Sequence, residues 1–252
     1  MGRVLSFIYG LICWVGFLVI FLYFIGFLGN FIVPKNVNSG VEGPIGQSIL
    51  IDVFLIALFG IHHSTAARPW FKQRAIQYIP KHLERSTYVL ISDLLFILIL
   101  WQWRPITTVI WQVESSVGKA ILYSLFALGW FLVVLSSFLI NHFDLFGIRH
   151  VYLHLTGKEY THVPLKVRFL YKFIRNPLML GWFIAFWSTP YMTVGHFVLA
   201  AGLTVYGFIG IICEERGLLK HLGGDYKQYF ENTPMILPLP KFNKAGKCPF
   251  HF

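Results

Sequence analysis

Charge is scarce in this sequence. Only 13% of its 252 residues are Asp, Glu, Lys or Arg, about half the share of an ordinary soluble domain. So few solvated groups cannot cover a globule, which excludes a typical soluble enzyme and a disordered chain. Cysteine is also rare. Cys13, Cys213 and Cys248 lie far apart, so they supply neither a disulfide framework nor a zinc quartet. No Gly-x-Gly-x-x-Gly, phosphate-binding loop or Gly-x-Ser-x-Gly occurs, so a Rossmann-type site is unsupported. Internal repeats and low-complexity runs are absent too.

What is present is apolar. The listless charge profile goes with 56% hydrophobic residues, 18% aromatics and a mean hydropathy of +0.63, which makes a bilayer the main solvent. Five segments are nearly free of charge: residues 4–33, 49–67 (with Asp52, His62 and His63), 87–103 (with Asp93), 119–140 and 177–213. The last has 37 residues, too many for one crossing at about 1.5 Å per residue. Pro190 and Gly195 near its middle predict a turn, dividing it into helices over 177–188 and 195–213. The expected fold is an all-α transmembrane bundle of six helices ending in a helical hairpin. Residues 1–240 form one domain and 241–252 a basic tail.

With six crossings, 18 of the 21 Lys and Arg residues fall on one side, and only Lys35, Arg104 and Lys119 on the other. That split predicts both termini in the cytoplasm. It also explains the net charge of +10 without nucleic acid as a partner. Residues 141–176, rich in aromatics and bases, are expected to form short interfacial helices under the bundle.

Two polar motifs stand out. Pro177 opens a helix where its missing N–H costs nothing, leaving free backbone donors beside Arg175, which suits an anionic or nucleotide-like ligand. A helix start flanked by a cytosolic arginine accounts for the same residues. Glu214 and Glu215 follow an apolar helix, where carboxylates oppose the dipole and need a partner. That partner is a ligand amine, ribose hydroxyls, or an ion pair with Arg175 or Arg216.

Together these motifs are more specific. Arg175-Asn176-Pro177 with Gly181, a hairpin, Glu214-Glu215, Tyr226 and Tyr229, then Pro234-Met235 resembles the C-terminal half of a membrane methyltransferase superfamily. Its members include isoprenylcysteine carboxyl methyltransferases and phospholipid N-methyltransferases. The resemblance implies S-adenosylmethionine held at the cytosolic face by Arg175, Asn176, Pro177, Gly181, Glu214, Glu215, Tyr226 and Tyr229. The usual motif is Arg-His-Pro; Asn176 keeps a donor and an acceptor but does not titrate.

The N-terminal half narrows the likeness. His62-His63-Ser64-Thr65-Ala66-Ala67-Arg68-Pro69, Glu84-Arg85-Ser86-Thr87-Tyr88, Trp101-Gln102-Trp103-Arg104-Pro105 and Asn141-His142-Phe143-Asp144 look like methanethiol S-methyltransferases, bacterial enzymes that make dimethyl sulfide. A family associated with nitrogen-oxide metabolism shares some of the pattern. The resemblance implies a bacterial inner-membrane enzyme methylating a small thiol. Thiols are mostly protonated at neutral pH and need a base. His142 is the first choice, oriented by Asp144, and His63 the second; interfacial packing is the alternative for both histidines. Asp93 is expected to bond His63, Ser92 or a neighbouring helix, with contact to the cofactor or a thiol as the alternative, and Asp52 to lie at the interface. His150 and His154 stand four apart, but too few histidines accompany them to expect a metal. The rival readings are a lipid or isoprenylcysteine methyltransferase, a non-catalytic membrane protein assisting nitrogen-oxide metabolism, and a metal-dependent oxygenase.

Overall fold

A computed structural model describes residues 2–161 and 167–237. The tail expected at 241–252 lies outside the described residues. Ten α-helices are present among those described: α1 (Arg3–Gly29), α2 (Ile45–Ala66), α3 (Pro69–Ala75), α4 (Lys81–Gln102), α5 (Ser116–Ile140), α6 (His142–Leu145), α7 (Ile148–Leu155), α8 (Pro177–Trp187), α9 (Val194–Leu222) and α10 (Gly224–Asn232). Four of them, α1, α2, α5 and α9, are long and apolar enough to cross a membrane. α4 matches α2 at 22 residues but opens on Lys81, Glu84 and Arg85. α8 has 11 residues, about half a crossing. The protein is therefore an all-α, multi-pass membrane bundle. Ile12, Leu22, Leu50, Phe54 and Phe131 are exposed, which is costly in water and favourable against lipid.

Local chemistry sets the helix ends. α1 stops where Asn30 turns left-handed at φ 56° and returns its N–H to Gly26 O. Ser115 caps α5 by accepting from the Gly118 N–H at 3.0 Å, and Thr193 caps α9 by accepting from the His196 N–H at 3.1 Å.

Bare backbone sets how closely the helices approach. A Cβ on Gly129 of α5 would stand 2.7 Å from Ala185 N and 2.8 Å from Gly181 O of α8. Gly181, expected at the cofactor site, faces this crossing; its own Cβ would meet Gly129 O at 2.7 Å. Without a hydrophobic drive between helices in lipid, such contacts supply dispersion energy that side chains would block. Phe24, Phe27, Trp103, Trp130 and Phe186 fill the buried centre. On the basic face, α7 lies under α1 and inserts Val151 where Gly10 leaves room. Its entry is Gly147, at φ +87°, where a Cβ would stand 2.9 Å from Ser86 N.

The opposite face departs from the expected turn. Residues 191–193 form a strand, β2 (Tyr191–Thr193), antiparallel to β1 (Val109–Gln112) from the α4–α5 connection. Val194 N–H and Gly195 N–H continue the ladder to Thr108 O and Ile106 O. Asp52, expected at the interface, is fully buried and accepts from the Arg104 N–H at 2.9 Å. Lys35 donates to Trp101 O and Trp103 O, placing a cation at the C-terminal end of α4. Asp93 sits at the α1–α4 contact, its Oδ2 3.9 Å from where a Gly16 Cβ would be.

Gly129→Ala is expected to lose about 1–3 kcal/mol through overpacking, read as a lower melting temperature in detergent. Gly181→Ala should do the same without changing cofactor affinity in the fraction that stays folded.

Candidate active site

Arg175, Asn176 and Glu215 come together, but as a closed latch. The Arg175 guanidinium is buried and donates from Nε to Glu215 Oε1 at 2.6 Å and from the second amino nitrogen to Oε2 at 3.1 Å. Its other amino nitrogen donates to Phe230 O and Thr233 O, and its plane lies 4.1 Å from the Phe230 ring centroid. Asn176 donates to Glu215 Oε1 at 3.1 Å and Met235 O at 3.3 Å. The backbone N–H groups of Arg175 and Asn176 donate to Pro234 O and Met235 O. Tyr229 donates to Tyr171 O at 2.7 Å. Burial pushes Tyr226 up to about 12 and raises Tyr229 as well, so both phenols stay neutral. Pro177 is buried at the first position of α8. These residues lock α10 and the chain after it against the start of α8; four of the five Arg175 N–H groups are already committed.

Glu214 does not share that fate. Successive helical residues point about 100° apart, so as Glu215 turns inward, Glu214 stays exposed. Arg68 donates to the neighbouring carbonyl, Cys213 O, at 3.2 Å. Arg68 and Arg85 are the cations acting on Glu214. Two turns earlier on α9, Tyr206 Oη lies 2.7 Å from His63 Nδ1. Tyr88 of α4 donates to His63 O at 3.3 Å and lies under the Arg85 guanidinium, 4.8 Å from its ring centroid. Phe59 stacks on His63 at 5.3 Å. Residues of α2, α4 and α9, with Arg68 just past α2, bring His63, Arg68, Arg85, Tyr206 and Glu214 to one partly exposed face, with Tyr88 buried beneath it. Among the described residues, His63 Nε2 has no hydrogen-bond partner, and the ring is half-buried.

His142 is placed differently. Trp14 donates its indole N–H to Nε2 at 3.1 Å, so the ring proton is on Nδ1, which donates to Ser137 Oγ at 3.0 Å. Burial lowers the His142 pKa and keeps it neutral. Both nitrogens are committed, leaving no lone pair for a thiol proton. Asp144 binds Arg149 at 2.9 Å and accepts from Tyr160 at 3.2 Å, rather than orienting His142. His150 stacks on Tyr160 and His154 on His82, so these two histidines go to different partners. Two cavities, of about 360 and 220 Å³, lie on the opposite face, beside Asn38 and Tyr191 and beside Lys35 and Arg104.

No protein-family model matches the chain, and no solved structure does. Curated relatives do. Methanethiol S-methyltransferase of Crocosphaera subtropica is 45% identical over 238 residues, 94% of this chain and 93% of that protein. The Mycobacterium tuberculosis protein of the same name is 44% identical over 240 residues, 95% and 98% of the two chains. The chain belongs to the methanethiol S-methyltransferase family. A third member, methanethiol S-methyltransferase 1 of Bradyrhizobium diazoefficiens, is 43% identical over 94% of this chain and 83% of its own. None of these three is named a lipid or isoprenylcysteine methyltransferase, or an oxygenase.

In this methanethiol S-methyltransferase-family chain, sequence reasoning assigned no role to Arg68, Arg85, Tyr88 or Tyr206. The signal for Tyr206 was its spacing. Residues 206, 210 and 214 share one helical face, and Gly60 is bare where the Tyr206 ring crosses α2. Glu215→Gln leaves the buried Arg175 charge without its counterion, an expected loss of about 3–5 kcal/mol. Limited proteolysis should then cut near α10 at protease levels that spare the unaltered protein.

Proposed function

We propose that the protein transfers the methyl group of S-adenosylmethionine to methanethiol, giving dimethyl sulfide, in a bacterial inner membrane with both termini cytoplasmic. The observation that carries this reading is the 43–45% identity to three methanethiol S-methyltransferases over 94–95% of this chain. The basic loops and the open polar face on the same side support cofactor entry from the cytosol.

The residues present suit such a cofactor. Its amino-acid end carries an ammonium and a carboxylate. Glu214 offers an exposed carboxylate for the first, and Arg68 and Arg85 offer planar donors for the second. The latch residues Arg175, Asn176, Glu215, Tyr226 and Tyr229 support this face by fixing α9 and α10. When bound, the cofactor supplies an activated methyl on a sulfonium. His63 Nε2 takes the thiol proton as the sulfur forms its bond to the methyl carbon, and later releases that proton to water. Arg85 adds a permanent positive charge nearby, which favours a thiolate and, by disfavouring a protonated His63, favours return of its proton to water. Phe59, Tyr88 and Tyr206 crowd the space around His63. Selection for a short thiol then follows from lack of room.

The test is methyl transfer from labelled cofactor to a panel of thiols, with headspace detection of volatile sulfides. His63→Ala is expected to lower kcat about 100-fold or more, whereas His142→Ala should lower stability more than kcat. Glu214→Gln should weaken cofactor binding about tenfold by calorimetry, roughly 1.4 kcal/mol. Unchanged affinity in that variant, or no volatile sulfide from the unaltered protein, refutes the reading.

A further inference from the structure

We propose that the cavity beside Lys35 and Arg104, on the face opposite the Arg175 latch, binds the phosphate of an anionic phospholipid. The proposal does not depend on the methyl-transfer reading. Lys35 follows α1 and Arg104 follows α4, so both reach the cavity from connections at one end of the bundle. They line it together with Val41, Trp101, Gln102 and Trp103. Its volume of about 220 Å³ lies below the roughly 300–1,000 Å³ of a site for a drug-sized molecule and suits a headgroup. Of the three basic residues that the sequence assigns to this side, Lys35, Arg104 and Lys119, two therefore share one cavity.

Among the described residues these two cations have no paired counterion. Asp52 Oδ1 accepts from the Arg104 backbone N–H at 2.9 Å, yet no ion pair joins Asp52 to either side chain. Glu42, next to Val41 in the chain, accepts from Thr107 Oγ1 at 3.1 Å instead. The Arg104 guanidinium makes no hydrogen bond among the described residues, and its Nε is buried without a partner. Lys35 Nζ spends two of its three donors on Trp101 O and Trp103 O and keeps one. Burial and the nearby Arg104 charge push Lys35 below its ordinary value, with Asp52 opposing. An anion between two such cations relieves their repulsion. The planar guanidinium also matches the geometry of phosphate oxygens.

The apolar neighbours say which phosphate. Trp101 and Val41, which line the cavity, are 70% and 69% exposed, and Ile32 and Ile45 on the flanking segments are exposed too. A tryptophan at a helix end marks the boundary between membrane and water. A free anion gains nothing from these groups. A phospholipid lays its acyl chains along them while its phosphate meets Arg104 and Lys35. Two cations without a paired counterion also favour a net-negative headgroup over a zwitterionic one, whose ammonium they repel.

The test uses the full-length protein, delipidated in detergent, and native mass spectrometry with dioleoylphosphatidylglycerol as the probe. Because the basic face also attracts this lipid, the readout is the difference between variants. Arg104→Gln should lose one bound phosphatidylglycerol, its affinity falling about tenfold. Lys35→Gln should weaken the same site about threefold or more. Lys119→Gln removes an exposed charge away from the cavity and should match the unaltered protein within about twofold. On the unaltered protein, dioleoylphosphatidylcholine should compete for that site about tenfold less well. Inorganic phosphate and glycerol 1-phosphate carry the charge without acyl chains and should displace the lipid only at about hundredfold higher concentration. Equal phosphatidylglycerol binding by Arg104→Gln and the unaltered protein overturns the proposal, as does an equal loss in Lys119→Gln. So does phosphatidylcholine that binds as tightly as phosphatidylglycerol, or inorganic phosphate that competes as well as the lipid. Arg104→Gln breaks no side-chain bond and should melt within about 2 °C of the unaltered protein without lipid. If it melts lower than that, the competition between the two lipids on the unaltered protein still decides.

Discussion

The basic face is organised around the buried pairing of Arg175 with Glu215. Arg175 stands just before α8, Glu215 lies late in α9, and the guanidinium also takes two carbonyls from the end of α10. Three separate stretches therefore meet at one planar cation. Desolvating both charges costs several kcal/mol each, and the bidentate geometry with its extra carbonyls offsets that cost. The pairing also sets the rotation of α9 about its axis. Once Glu215 faces inward, Glu214 has to face the open side, and Tyr206 has to face α2.

The remaining architecture follows from a solvent that offers no hydrogen bonds. Backbone groups must be satisfied internally, so crossings are helical. Where the backbone is irregular it is paired, as in the β1–β2 ribbon, or capped, as Lys35 caps the end of α4. Helices gain contact by removing side chains rather than adding them. Gly129 against Gly181, Gly10 against Val151 and Gly60 against Tyr206 are three cases of one rule. The third has a chemical outcome, since it brings a phenol to a histidine.

Much of this was legible in the sequence, for reasons that differ by residue. The long apolar segments read directly because hydropathy integrates over many residues. The break after residue 188 was visible through Pro190 and Gly195, but its strand was not, because β2 exists only by pairing with a segment some 80 residues earlier. The Arg-Asn-Pro and Glu-Glu motifs were found, but which of their residues pair with one another was not legible. Sequence shows two adjacent carboxylates; only the fold shows that Glu215 is spent on Arg175 and Glu214 is not. As letters, His142 was the first choice for the base and His63 the second. What separates them is the Trp14 indole on His142, a contact across 128 residues that no local pattern encodes. Gly181 read as a ligand contact, and the fold adds that it lies at the α5–α8 crossing, a packing role that a glycine in a motif does not reveal.

Tyr206 and Glu214 stand eight residues apart on one unbroken helix, a rise of about 12 Å. That stretch works as a ruler, with the imidazole at one mark and the carboxylate at the other. Inserting or deleting a single residue between them would swing Glu214 by about 100° and shorten or lengthen the ruler at once. The number of residues between the two marks therefore matters as much as what those residues are.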